Sequence, residues 1–370
     1  MNGDSNVVSV DGSSGVVTIH KAGTATITVT AAETPNVGAA SVDYTVTVKK
    51  AEPTVNTGLE GDELTVAYTG KAIEGYDKAT PTANVVEGAD QPFGDITYTF
   101  YTDSGCSDEN KVTNGGGKDG NIPIAVGTYY MKATYSGDEN YLPAESEPVT
   151  VTVTKAQLTV DAEGYEGTYN GKEHPAITID SVTGNGTQLT EGEGYTVKYA
   201  TTNTEAAPGE DAGDDVWKGT LTVKDVADSS SGSQYYWYMV TADNYNPAIG
   251  KVEVEITPAP LTVAGEPASY KKEYDGDNTV TDGLTGITVT AENVPDVTIS
   301  VAATGTYADK NAGEEKDVTL TLSLSGTDGT EIKWGNYSYG GTALTEGKIT
   351  LIKTDAGTIT PKEITVCLLY

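Results

Sequence analysis

The sequence has no arginine, and only 2 His, 2 Cys, 3 Met and 2 Phe among its 370 residues. All 22 basic residues are lysine, set against 54 acidic ones, for a net charge of −32. That balance excludes nucleic acid as a partner, since phosphate neutralisation needs a basic surface and base readout leans on arginine. It equally excludes a basic membrane-surface helix. Histidine scarcity removes the usual general base. His20 lies on an apparent strand and His174 beside Pro175, in different repeats and without a nucleophile motif. No catalytic residue, no cofactor and no enzyme activity are expected. Cys106 and Cys367 are too few and too far apart for a disulfide framework. Cys106, within the polar run Asp103-Ser104-Gly105-Cys106-Ser107-Asp108, reads as a free surface thiol. Long apolar runs are missing too, so no membrane-spanning helix is expected. The opening Met1-Asn2-Gly3-Asp4 has neither the basic start nor the apolar core of a signal peptide.

What fills the sequence is glycine (43), tyrosine (23) and abundant threonine and valine. β-Branched residues suit a pleated, half-buried surface. Runs such as Ile96-Thr97-Tyr98-Thr99-Phe100, Gly219-Thr220-Leu221-Thr222-Val223 and Val318-Thr319-Leu320-Thr321-Leu322-Ser323-Leu324 alternate apolar with polar, the signature of strands with one buried face. Turn signals Asn114-Gly115, Asn170-Gly171 and Asp275-Gly276 separate such runs, and no window has helical periodicity.

Four similar junctions recur: Val46–Val55, Val151–Val160, Val254–Val263 and Gly357–Val366. Their closing valines, Val55, Val160, Val263 and Val366, are 105, 103 and 103 residues apart. Each junction reads as one strand ending, one or two connecting residues, and a new strand beginning. The resulting domains are 1–50 (partial), 51–154, 155–257, 258–360, and 361–370 as the first strand of a truncated module. The fold class expected is all-β: tandem immunoglobulin-like antiparallel β-sandwich modules in an elongated array. A β-grasp sheet with one short helix is the lesser alternative. Pro258, Pro260 and Pro361 stiffen the joints, so a semi-rigid rod is expected. Charge is spread evenly, with 5 lysines against 17 acids in 51–154, 6 against 17 in 155–257 and 7 against 15 in 258–360. Such a spread keeps a rod soluble and does not mark a patch.

Particular motifs carry a resemblance. Gly15–Ile19, Lys21–Ala31 and Tyr44–Val48 resemble the second half of a bacterial Ig-like group 2 domain. Tyr68-Thr69-Gly70-Lys71, Phe100-Tyr101-Thr102-Asp103, Gly127-Thr128-Tyr129-Tyr130 and Asn140-Tyr141 resemble the mucin-binding-glycoprotein-like (MBG) repeats of Gram-positive adhesins. So do Tyr169–His174 and Asn244-Tyr245 in the next module. Tyr274-Asp275-Gly276, Tyr307–Gly313 and Gly335-Asn336-Tyr337 resemble the YDG repeat of filamentous haemagglutinin-like proteins. The resemblance implies a secreted, extracellular segment of a longer protein at the bacterial cell surface or cell wall. It implies a stalk or spacer, with mucin-glycan binding as the alternative, and as partners a host glycan or glycoprotein and neighbouring modules.

Three kinds of site follow from the residues. The acidic loops at Asp138–Asn140, Glu210–Asp215 and Asp275–Asn278 offer oxygen ligands but none has the spacing of a calcium loop, so no metal is expected. In Tyr235-Tyr236-Trp237-Tyr238-Met239, strand alternation pairs Tyr236 and Tyr238 with the core. That leaves Tyr235 and Trp237 outward as a platform for a sugar ring. Lys132 is the position to check for a Lys–Asn isopeptide cross-link. At the two ends, incomplete sheets are expected to fray or associate.

Overall fold

A computed structural model describes residues 6–85, 90–118, 120–230, 234–327 and 331–365. Cys367, the opening Met1–Asp4 and most of the strand expected over Ile364–Tyr370 lie outside the described residues. Residues 361–365 form no strand, and Ile364 is 87% exposed.

Among the described residues every regular element is a β-strand or a single 3-10 turn. The Thr/Val alternation explains why. In Val149–Thr154 the three valines are buried and the threonines between them reach the surface, as a period of two requires. The fold is all-β and built of tandem sandwich modules. The sheets, however, are mixed where purely antiparallel ones were expected. An early strand of each full repeat runs parallel to its last: Glu63–Ala67 with Val149–Thr154, Glu166–Thr168 with Glu255–Thr257, and Tyr270–Glu273 with Lys348–Thr360.

The chain forms two compact units: Met1–Leu158 with Gly184–Thr187 and Ala242–Asn246, and Thr159–Thr183 with Gln188–Thr241 and Pro247–Tyr370. The division differs from a cut at each sequence junction. Two loops of the 155–257 repeat belong to the first unit because Asn185, Asn244 and Tyr245 pack there.

In the first unit, residues 6–50 make two small hairpins, Val8–Val10 with Val17–Ile19 and Gly23–Ala31 with Ala40–Val48, around Val7, Val8, Ala25 and Ile27. Beyond them, Gly127–Tyr135 lies between Ile96–Tyr101 and Val149–Thr154 over a core of Ile73, Phe100, Met131 and the three strand valines. In the second unit one core extends from Tyr169 through Ala259 to Ile359. It includes Val318, Leu320 and Leu322, fully buried on Gly313–Gly326 between Ile299–Tyr307 and Lys348–Thr360.

Candidate functional site: the joints between repeats

The proposed sugar platform is not presented to solvent. Trp237 is 8% exposed, its ring packed with Ala200, Trp217 and Met239 and its Nε1–H donated to Thr202 Oγ1 at 2.9 Å. Tyr235 is half-buried, with the Lys251 ammonium 5.2 Å from its ring centroid. Alternation itself holds, since Tyr236 faces the large core as expected. The opposite face of Tyr235–Thr241 is covered by the segment carrying Val216 and Trp217, so this central strand is buried on both sides. A single strand's pattern carries no information about that cover.

The other candidates are engaged locally. His20 Nε2 lies 2.7 Å from Ser9 Oγ, whereas His174 stacks on Tyr165 at 4.2 Å and lies 3.1 Å from Asn170 Oδ1. Lys132 pairs with Glu145 at 3.3 Å. Asp214 pairs with Lys198 at 2.7 Å. Cys106 is free and half-buried, and burial raises its thiol pKa. Among the described residues no group of three or more His, Cys, Asp or Glu is placed to hold a metal.

The recurring constellation lies at the junctions, on the Asn-Tyr dipeptides that appear in the sequence as mere motif residues. At the first three junctions the asparagine side chain accepts a backbone N–H from the preceding repeat. Ala22 donates to Asn140 Oδ1 at 3.0 Å, Val126 to Asn244 Oδ1 at 2.9 Å, and Val226 to Asn336 Oδ1 at 2.8 Å. The neighbouring tyrosine runs parallel to the junction residue, in the pairs Ala51 with Tyr141, Ala156 with Tyr245 and Ala259 with Tyr337. At the first two junctions that bridge is a double hydrogen bond. Ala51 N–H reaches Asn140 O and Leu142 N–H reaches Ala51 O, both at 2.9 Å; Ala156 and Asn246 repeat this at 3.1 and 2.8 Å.

A third contact joins rings. Tyr68 meets Tyr245 edge to face at 5.3 Å, and Tyr169 meets Tyr337 at 5.5 Å, the geometry aromatic quadrupoles favour. Tyr68 and Tyr169 come from equivalent turns. Each follows the early strand that pairs with the last, and donates its N–H to that last strand: Tyr68 to Thr154 O at 2.8 Å, Tyr169 to Thr257 O at 2.9 Å, and Tyr274 to Thr360 O at 2.8 Å. The next side chain, Thr69, Asn170 or Asp275, accepts the N–H two residues on, at 3.3, 3.0 and 3.2 Å. Glycine follows with φ of 75°, 76° and 96°, a region L-residues avoid. In the third turn Asp275 and Asp277 also hold the ammonium of buried Lys272, at 2.7 and 2.9 Å. These acids close a turn around a lysine.

Charge supports two of the joints. Asp225 binds Asn336 Nδ2 at 2.7 Å and pairs with Lys333. Burial works against its ionisation, but these hydrogen bonds outweigh it and hold the carboxyl below its ordinary range. Asp138 organises the turn before Asn140. Burial again opposes its charge, and bonds from the Tyr135 hydroxyl and the N–H groups of Phe93, Asn140 and Tyr141 outweigh it. The Tyr135 hydroxyl is pushed up to about 12 by burial and by Asp138. Burial comes first in raising all three joint tyrosines, Tyr141, Tyr245 and Tyr337. Beside the second joint runs a groove of about 710 Å³ lined by Tyr68, Lys71, Glu74, Ile124 and Asn185.

The third of these joints enters a segment that a family model matches. Residues 257–346 match the family model of the YDG domain. The YDG segment thus contains both the Tyr274-Asp275-Gly276 turn and the Asn336-Tyr337 clasp. No curated protein matches the chain. Among solved structures, Drosophila N-cadherin EC1-4 is similar at a TM-score of 0.21 and 11% identity, over 97% of this chain and 90% of that one. Protocadherin Gamma B2 extracellular cadherin domains 1-5 give 0.24 and 14%, over 97% and 71%. Sidekick-1 immunoglobulin domains 1-4 give 0.24 and 9%, over 90% and 94%. Similarity at that level carries no argument about function.

No helix of the described residues is long and apolar enough to cross a membrane. The asparagines had one signal in the sequence: Asn-Tyr recurs once per full repeat, after the penultimate long strand. Its meaning as a clasp needed the partner N–H groups, roughly a hundred residues upstream.

Proposed function

We propose that the chain is a non-enzymatic stalk or spacer segment of an extracellular, bacterial cell-surface protein of the adhesin kind. Residues 1–50 would be a partial Ig-like group 2 domain, and 51–154 and 155–257 MBG-like repeats, ahead of the YDG segment. The observation that carries this reading is the clasp at Asn140, Asn244 and Asn336. The same backbone bridge and side-chain acceptor recur where one repeat passes into the next. A catalytic protein has no use for repeated joints; a spacer depends on them, because stiffness at the joints sets its reach. The even negative charge supports the reading, since it opposes collapse and self-association.

Small-angle scattering of the full chain tests it. Wild type should scatter as a stiff particle. Replacing Asn140, Asn244 and Asn336 by alanine should shift the scattering towards that of flexibly linked beads with the strand content unchanged. Identical scattering from both proteins would sink the joint argument. Binding of mucin glycans by the modules is the rival, and the groove beside Tyr68 is the place left for it once Trp237 is buried. A glycan array with the full chain separates the two: the spacer reading expects no signal, and a signal lost on Lys71→Ala would favour the rival.

A further inference from the structure

Each repeat presents a face to the repeat that follows, and on the YDG segment no described residue occupies that face. The register shows the equivalence. Gly23 pairs with Val48, Gly127 with Val153 and Gly313 with Ile359. Three residues beyond each of those partners stand Ala51, Ala156 and Lys362, the first two being joint residues. Immediately before each glycine stand Ala22, Val126 and Ala312. The first two donate their N–H to a clasping asparagine. The 155–257 repeat keeps the scheme with a substitute: Ser229 Oγ takes the N–H of Ile256 at 2.8 Å, three residues ahead of Ala259, and nearby Val226 is the donor.

By this register Ala312 is the next donor, Lys362 the next junction residue and Tyr274 the next ring. All three are exposed, Tyr274 at 38%. Among their counterparts Ala51 is exposed as well, whereas Ala22, Val126 and Tyr68 are half-buried, Ala156 is buried, and Tyr169, paired edge to face with Tyr337, is only 8% exposed. Among the described residues the Ala312 N–H has no acceptor and the Tyr274 ring has no aromatic partner. Backbone donors seldom stay unmatched where a partner can reach them, and here two filled examples show the shape of the partner.

We propose that Tyr274, the Ala312 N–H and the Lys362 backbone form a docking face for the Asn-Tyr turn of a further β-module of this kind. The asparagine Oδ1 would accept from Ala312. The tyrosine would run parallel to Lys362 and set its ring edge to face on Tyr274. The proposal stands on joint geometry and holds whatever the segment spaces or displays.

Hydrogen exchange read by mass spectrometry tests it on the full chain. The amides of Ala22, Val126 and Val226 should exchange slowly, and that of Ala312 near the rate of an unprotected amide. In a chain extended behind Lys362 by residues 157–257 of a second copy, Ala312 should slow at least about tenfold. Replacing the appended copy's Asn244 with alanine should restore the fast rate while Val126 stays protected. Chemical nitration of Tyr274 should fall in the same extended chain. A second extension, behind Lys362 by residues 52–154, should act alike through its Asn140. An Ala312 amide already slow in the 370-residue chain, or one that stays fast in both extended chains, overturns the proposal.

Discussion

Two antiparallel strand pairs show what alternation alone achieves. Gly23–Ala31 with Ala40–Val48 and Gly313–Gly326 with Lys348–Thr360 are both long ladders of alternating apolar and polar residues. On the first, Val42 is 49% and Tyr44 58% exposed; on the second, Val318, Leu320 and Leu322 are fully buried. The difference lies in the company. The second pair continues into Ile299–Tyr307 and Tyr270–Glu273 and packs in a large core. The first remains a two-stranded sheet covering four small buried residues. A hairpin with one naked apolar face is marginal by itself, so stability in this protein resides in completed sandwiches and in the joints that tie them.

The sharpest way to break that comparison is a cavity in the completed sandwich. Leu320→Ala should cost about 2–5 kcal/mol, the range for deleting a fully buried leucine side chain. Chemical denaturation should show the transition of the YDG segment moving to lower denaturant. Little movement would mean that the core is not what stabilises the segment. Next in size is Asn336→Ala. It leaves the Val226 N–H without its acceptor and takes a hydrogen bond from Asp225. Leaving buried donors unmatched costs about 1–3 kcal/mol. The loss should show as faster exchange at Val226, with Leu320 and its neighbours still protected. Uniform loss across the segment would make Asn336 an ordinary core residue.

The strands and the repeat were legible in the sequence because both depend on local pattern. Val149–Thr154 declares its buried face in six letters, and the spacing of Val55, Val160 and Val263 reports a period directly. Trp237 was misjudged for a reason local pattern cannot supply: alternation placed it on the far side from Tyr236 correctly, but the cover carrying Trp217 comes from a separate segment. The clasps were hidden in the same way. Asn244 means nothing until Val126, 118 residues away, is seen donating to it. Nor do Asp275 and Asp277 look structural until Lys272 is found buried between them.

pH separates the joints from the sandwiches by a smaller effect. Asp138 and Asp225 are held below their ordinary values in the folded protein. Their contribution is therefore present above the unfolded carboxylate range and fades as pH falls through the folded values. The joint tyrosines act at the other end. Their raised values mean stability is complete below the ordinary phenol range and is lost as pH rises through the folded values. Tyrosinate absorbance should consequently develop in two stages, with the joint tyrosines in the later one. A single stage at the ordinary value would show the joints open to water. Asp138→Asn should flatten the acid limb and also let Tyr135 and Tyr141 ionise at lower pH, because the Asp138 charge helps to raise both.

The smallest effect expected on stability concerns the naked face itself. Val42→Thr and Tyr44→Thr keep strand propensity, and each should change unfolding by no more than about 0.5 kcal/mol, because little apolar area is withdrawn from water there. The same pair should nevertheless change behaviour between molecules. Val17 and Ile19 add 42% and 63% exposed side chains to the apolar surface of residues 6–50, and exposed apolar strands invite pairing with another chain. If the face is merely uncovered, sedimentation at high concentration should show self-association that the double substitution weakens, more strongly in added salt, where the −32 charge no longer keeps copies apart. If instead the substitutions destabilise as much as Leu320→Ala does, the hairpin face is covered in solution. The contrast between the two strand pairs would then be one of partner and not of completeness.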